Sequence, residues 1–112
     1  MRAVILNNLG NAQLGLRQLE AAQASLEEAL GIYRRLEHHA GEGAVLNNLG
    51  ACWEARSERD KACLSYTQAL VASAQADDRR GQAITEGHIR RLIEQSAAGD
   101  RSVEACRAAF GE

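Results

Sequence analysis

The sequence contains no proline and only four aromatic residues, Tyr33, Trp53, Tyr66 and Phe110. Helix interiors reject proline, whereas turns and edge strands tolerate it, so its absence favours a chain built from helices. Because aromatic rings are rare, the apolar 46% of the chain consists mostly of Ala, Leu, Ile and Val, and Ala and Leu favour helix. The composition therefore predicts an all-α protein, and 112 residues are enough for one domain.

An excess of one charge and long apolar runs are also lacking. The 13 basic and 15 acidic residues are spread along the chain and give a net charge of −2, without a basic stripe for the phosphates of nucleic acid. No apolar run approaches the roughly 20 residues of a membrane span, and the first residues do not resemble an export signal. We therefore predict a cytoplasmic protein that binds neither nucleic acid nor membranes.

Cysteine is scarce and irregularly placed. Cys52, Cys63 and Cys106 are an odd number and lack the CxxC spacing of zinc sites, which predicts neither a disulfide framework nor a metal site. Each cysteine is expected to be a small buried apolar residue, and reduced thiols are typical of the cytosol. His38 and His39 have no Cys or carboxylate beside them at a spacing suited to catalysis. We therefore expect neither enzyme activity nor a cofactor.

The clearest feature that is present is a repeat. The stretch Leu6–Gly10, with the sequence LNNLG, returns unchanged 40 residues later as Leu46–Gly50. A fixed period of this length is typical of stacked helical units, none of which can bury its apolar face alone. We divide the single domain 1–112 into units 2–40 and 42–79 and a divergent capping unit 80–112, and we interpret the chain as a fragment of a longer array.

Apolar residues at helical spacing predict two helices in each unit, joined by a short turn and therefore antiparallel. The six predicted helices cover Arg2 to about Leu16, Leu19 to about His38, Glu42 to Arg56, Arg59 to Ala76, about Arg80 to Gln95, and Asp100 to Phe110. Ala40, Gly41 and Gly43 are expected to break the helical pattern, whereas Gly10 and Gly50 should let facing helices approach closely. The predicted fold is a right-handed α-solenoid of three helical hairpins.

The positions that repeat resemble the tetratricopeptide repeat, in which a large residue, Leu-Gly and an aromatic in the first helix are followed by Ala, a large residue and Ala in the second. The matching residues are Leu6, Leu9, Gly10, Gln13, Ala22, Leu26 and Ala29 in unit one, and Leu46, Leu49, Gly50, Trp53, Ala62, Tyr66 and Ala69 in unit two. Gln13 departs from the pattern and the closing proline is absent. The long period resembles the subgroup found in kinesin light chains, Pins-type adaptors and bacterial signalling proteins. The resemblance implies a scaffold or adaptor that binds protein partners.

In arrays that this chain resembles, the first helix of each unit lines an inner, concave surface. Helical geometry places Asn8, Asn48 and His88 in a row on that face, with Asn11 and Arg91 close to the row. An Asn side chain both donates and accepts hydrogen bonds, so such a row can hold the backbone of an extended peptide. We therefore predict these five residues as the binding site for a peptide or a partner helix, with His88 and Arg91 biasing its charge.

Some tetratricopeptide domains bind a C-terminal carboxylate with a clamp of asparagines and cations. The clamp's asparagines are matched here, but its three cations are replaced by Asn7, Ile84 and His88. Arg91 lies one turn beyond His88 and could supply a single cation. The resemblance therefore implies, at most, a weak preference for an acidic segment.

Both the asparagines and the function have alternative interpretations. Asn8 and Asn48 are equally consistent with a structural role, in which they bond to backbone or to each other between neighbouring hairpins. Asn7 and Asn47 lie about 100° from the concave face, and we predict that they are interhelical. The alternative functions are a structural segment that forms a homo-oligomer through exposed terminal hairpins, and the sensor domain of a larger bacterial regulator.

Overall fold

The computed structural model describes residues 1–110, and this part of the chain forms six α-helices and no β-strand. The helices are α1 (Arg2–Gly15), α2 (Leu19–Arg35), α3 (His39–Ala55), α4 (Arg59–Gln75), α5 (Arg79–Gln95) and α6 (Glu104–Ala109). One turn of 3-10 helix, Arg101–Val103, precedes α6 and occupies the start of the sixth predicted helix. The all-α fold with about six helices is therefore confirmed, and the right-handed sense of the superhelix stays a prediction.

Consecutive helices contact each other along the whole chain, so that the hairpins α1–α2, α3–α4 and α5–α6 stack side by side. The first helices of the hairpins also touch, because α1 contacts α3 and α3 contacts α5. Within residues 1–110, α2 and α4 form no comparable contact. In the first two hairpins the first helices therefore lie closer together than the second helices, whereas in the last two the short α6 also packs against α4.

The four connections between α1 and α5 share one geometry. Each contains a single residue with a left-handed backbone, and these residues are Arg17, Glu37, Ser57 and Asp77, with φ between 53° and 62°. The N–H of the next residue donates to the carbonyl five positions earlier, as Gln18 does to Gln13 over 2.8 Å. This is the Schellman arrangement that ends many helices. Turns within and between hairpins are therefore equivalent, and the 40-residue period consists of two similar halves.

The expected break at Ala40, Gly41 and Gly43 is wrong, because these residues lie inside α3. The helix begins earlier, and Nδ1 of His38 caps it by accepting a hydrogen bond from the backbone N–H of Gly41 over 2.9 Å. A Cβ atom at Gly41 would lie 2.3 Å from the ring of Tyr33. Glycine is therefore needed here for the close approach of α2 and α3, and not for a turn.

The predicted role of Gly10 and Gly50 is confirmed. A Cβ atom at Gly10 would lie 2.6 Å from Cγ of Leu26, and one at Gly50 would lie 2.4 Å from Cε1 of Tyr66. Leu26 and Tyr66 are both fully buried, so each glycine allows the two helices of a hairpin to pack around a large side chain. Arg90, at the matching position of α5, is exposed.

The prediction that no disulfide forms is wrong for two of the three cysteines. Cys63 in α4 and Cys106 in α6 form a disulfide, with their Cα atoms 5.2 Å apart and a separation of 43 positions in sequence. They meet because α6 packs against α4, where Val103 and both cysteines are buried. Cys52 is a free buried thiol, as predicted. Reduced thiols were an argument for a cytosolic location, and Cys63 and Cys106 no longer support that argument because they are oxidised.

Candidate binding groove

The candidate site is the groove between α3 and α5, together with the adjacent face of α1. The structure places the five predicted residues on these three helices, with Asn8 and Asn11 exposed on α1. Asn48 on α3 and His88 and Arg91 on α5 are half-buried. Half-buried polar groups are partly ordered by the protein and still reach solvent, so these three residues are the better placed to bind a ligand.

Asn48 takes part in a hydrogen bond between neighbouring hairpins. Its Nδ2 donates to Oδ1 of Asn7 over 2.8 Å, and one hairpin further on the hydroxyl of Thr85 donates to Oδ1 of Asn47 over 2.9 Å. The interhelical role predicted for Asn7 and Asn47 is therefore confirmed. Asn48 combines this structural bond with a position in the groove. No group in the described part of the chain donates to its Oδ1, which can accept a hydrogen bond from a ligand.

Four side chains at the middle of the groove form a polar cluster that joins α3, α4 and α5: Glu54, Tyr66, His88 and Arg91. Nη2 of Arg91 donates to both carboxylate oxygens of Glu54, over 2.8 Å and 2.6 Å, and the hydroxyl of Tyr66 donates to the same carboxylate. Nη1 of Arg91 lies 3.1 Å from Nδ1 of His88. The His88 ring stacks on Tyr66 with the ring centroids 4.9 Å apart.

The contacts of His88 determine its protonation. Burial, followed by the charge of Arg91, lowers its pKa below the ordinary value of 6.5, so the ring is neutral at pH 7. A guanidinium only donates hydrogen bonds, so Nδ1 of His88 must accept from Arg91 and the ring proton must be on Nε2. His88 can therefore offer an N–H donor to a ligand, one hairpin further along the chain than the acceptor oxygen of Asn48.

The charge of Arg91 is compensated inside the protein. Its guanidinium faces the Glu54 carboxylate, and the two form a pair without net charge. The bond from the Tyr66 hydroxyl holds the same carboxylate, and burial, followed by this bond, raises the pKa of Tyr66, which stays protonated. The binding role of Arg91 stays a prediction, and any cationic bias that it gives the groove is reduced by Glu54.

Two hollows extend the groove to either end of α3 and α5. One, of about 180 Å³, lies near the start of both helices and is lined in part by Ala44 and Ile84. The other, of about 380 Å³, lies at their carboxyl ends and is lined in part by Glu54 and Gln95. Asn48 and His88 lie on the helices between these hollows, and Glu54 joins the polar cluster to the larger hollow.

The dependence of stability on pH should reveal the protonation state of His88. Its folded pKa lies below its unfolded pKa, so the unfolded chain binds the proton more readily, and the free energy of unfolding decreases as pH falls through about 6.5. His88→Gln should reduce this loss because Gln cannot titrate. Urea titrations of both proteins at neutral and mildly acidic pH would measure the difference, and equal pH dependence in the two would contradict it.

Glu54 and Tyr66 lie in the candidate site, although neither was predicted as a site residue. Tyr66 matches the large residue of the repeat pattern, and a buried hydroxyl at that position needs a hydrogen-bond partner. A signal was present in the repeat, because Leu14 and Leu26 in unit one are replaced at the matching positions by Glu54 and Tyr66 in unit two. A change from two apolar to two polar residues on facing helices indicates that they bond to each other.

Other features of the described chain bear on the remaining predictions. Residues 1–110 contain no group of three or more His, Cys, Asp or Glu side chains that could hold a metal ion. None of the helices between Met1 and Phe110 combines the length and the hydrophobicity needed to cross a membrane.

No protein-family model, curated protein or solved structure matches the chain. Its function is therefore proposed from the groove itself.

Proposed function

We propose that the chain is a non-catalytic binding module of the tetratricopeptide-repeat type, which takes an extended peptide or a partner helix of another protein in the groove along α3 and α5. The proposal rests on one observation, the half-buried Asn48 and His88 between two hollows on the neighbouring helices α3 and α5. Asn48 offers an acceptor and His88 a donor. An extended peptide presents both kinds of group along its backbone, and the two can therefore bind it without reading its side chains.

The surroundings of these groups define the character of the ligand. Glu54 compensates the charge of Arg91. We therefore expect the groove to select its ligand by backbone hydrogen bonds and small apolar contacts more than by the net charge of the ligand. Ile84 is 48% exposed beside Ala44 and offers an apolar contact at one end of the groove. The ligand is therefore expected to be a weakly charged segment with an apolar side chain that lies over Ile84.

Filling the hollow near the start of α3 and α5 should abolish most of the peptide binding. Ala44 is exposed, so Ala44→Arg places a large side chain in the groove without disturbing the core. We expect an affinity loss of at least about tenfold, which corresponds to ~1.4 kcal/mol. A peptide-array screen with the folded protein would identify ligands, and titration of those ligands would measure the loss. Ala74→Arg is the matched control, because Ala74 is an exposed alanine on α4, outside the groove, and its variant should bind like the wild type.

A second pair of variants separates ligand binding from packing at Asn48. Asn48→Ala removes both the ligand contact and the bond to Asn7, and should weaken binding by about 1 to 2 kcal/mol. Asn7→Ala removes only the interhelical bond and should leave affinity nearly unchanged. If no peptide binds, or if Ala44→Arg binds as well as the wild type, the groove is not the working surface of the protein.

A further inference from the structure

An apolar stripe runs along the outer face of α1. Ile5 is 64% exposed, Leu9 46% and Leu16 70%, and Ala12 between them is exposed as well. Their spacing of four, three and four residues places them within about 60° of one another around the helix. This is the spacing of a seam by which two helices pack together. We refer to these four residues as the outer stripe.

Three of these four positions are covered in the other hairpins, whereas the position of Leu16 is taken in the second hairpin by the exposed Arg56. The residues that lie 40 and 80 positions after Ile5, Leu9 and Ala12 are all less than 5% exposed, and they are Val45, Leu49 and Cys52 in α3 and Thr85, Ile89 and Leu92 in α5. The preceding hairpin provides the cover, since Val45 and Leu49 belong to one apolar cluster with Leu30 and Tyr33 of α2. The outer stripe therefore has the character of a helix-packing surface, and no helix of the described residues covers it.

The opposite end of the molecule cannot cover the outer stripe of another copy. The helix that would have to do so is α6, which has only six residues, whereas α2 has 17. Phe110, at the position that corresponds to Leu30 of α2, is half-buried and lies under the guanidinium of Arg90, 5.3 Å from the ring centroid. Stacking of copies head to tail would therefore place a short helix and a charged group against an apolar surface.

The outer stripe can instead cover itself. It contains no charged residue, and the nearest charge on α1, Arg2, is bound by Glu28 of α2. Arg17 follows Leu16 and is exposed, so charges lie only at the ends of the stripe and none lies within it. An antiparallel arrangement is favoured by side-chain size, because the small Ala12 then faces Leu9 of the other copy, whereas a parallel arrangement would leave a gap between two alanines.

We propose that two copies of this chain pair through the outer stripe of α1, antiparallel about a twofold axis, with Ile5 facing Leu16 and Leu9 facing Ala12 of the second copy. Such an interface is isologous, because the same surface is used by both copies and no further copy can be added. The groove between α3 and α5 remains open in this dimer. Peptide binding and dimerisation are therefore independent properties, and Ala44→Arg should leave the dimer intact.

The molar mass of the whole chain in solution tests the proposal. Sedimentation velocity and light scattering should give twice the 12.1 kDa of one chain. Ile5→Glu and, separately, Leu9→Glu should reduce the mass to that of the monomer, because each places two carboxylates in the seam. Val71→Glu is the matched control, since Val71 is 59% exposed on α4 and its variant should remain dimeric. A monomeric wild type at high concentration, or an Ile5→Glu variant that stays dimeric, would overturn the proposal.

Disulfide crosslinking tests the antiparallel arrangement. An equal mixture of Ile5→Cys and Leu16→Cys chains should form a mixed disulfide dimer on mild oxidation, because these positions face each other across the axis. Ile5→Cys alone should crosslink far more slowly, since its two copies lie at opposite ends of the seam. Rapid crosslinking of Ile5→Cys with itself would exclude the antiparallel pairing. The native Cys52 is buried, so it should not compete.

Discussion

Reduction of the disulfide between Cys63 and Cys106 is expected to lower the free energy of unfolding by about 2 to 4 kcal/mol. The disulfide links residues that are 43 positions apart, and its loss gives the unfolded chain more conformational freedom. It also attaches α6, whose six residues are too few to form a stable helix alone. Urea titrations with and without a phosphine reductant, followed by circular dichroism, would measure the change in stability.

The control for this experiment is the double variant Cys63→Ala/Cys106→Ala. It should unfold at the same urea concentration with and without reductant, because the remaining cysteine, Cys52, is free and buried. Burial raises the pKa of the Cys52 thiol and keeps it unreactive. If the oxidised and reduced forms of the wild-type protein unfold together, the disulfide does not form in solution or does not constrain the unfolded chain.

The helices were predictable because they follow from local spacing. Apolar residues repeat along α1, α4 and α5 with the helical period, and the predicted ends lie within one residue of those observed. The start of α3 was predicted less well, since Gly41 and Gly43 suggested a break. In the structure these glycines are buried. Whether a glycine ends a helix or allows a neighbour to approach depends on the packing of distant residues, which local spacing does not reveal.

The candidate site was predictable to the same extent. The repeat period places Asn48 and His88 at matching positions of neighbouring units, and the resemblance to the tetratricopeptide repeat implied that this face is the binding face. Their partners did not follow, because the bonds from Arg91 to Glu54 and from Asn48 to Asn7 each join different hairpins. These bonds depend on the distance between stacked hairpins. The disulfide was missed for the same reason, since the packing of α6 on α4 determines which cysteines meet.

A single methyl group at Gly50 should destabilise the protein by about 2 kcal/mol. In Gly50→Ala the Cβ atom would lie 2.4 to 2.6 Å from three atoms of the Tyr66 ring. The ring cannot move away easily, because it is fully buried, bonded to Glu54 and stacked on His88. Overpacking of this kind costs about 1 to 3 kcal/mol, and the better helix propensity of alanine offsets at most about 1 kcal/mol of it. Urea denaturation of the variant would measure the net effect.

Gly87→Ala is the matched control and should change the free energy of unfolding in the opposite direction. Gly87 lies inside α5, and a Cβ atom there would meet no other atom within 4 Å. The substitution should therefore stabilise the protein by about 0.5 to 1 kcal/mol through helix propensity alone. Since both variants exchange glycine for alanine within a helix, the difference between them isolates the packing of Gly50 against Tyr66. If Gly50→Ala were stabilising as well, α3 and α4 would have to lie further apart in solution, and the polar cluster around Tyr66 could not form as described.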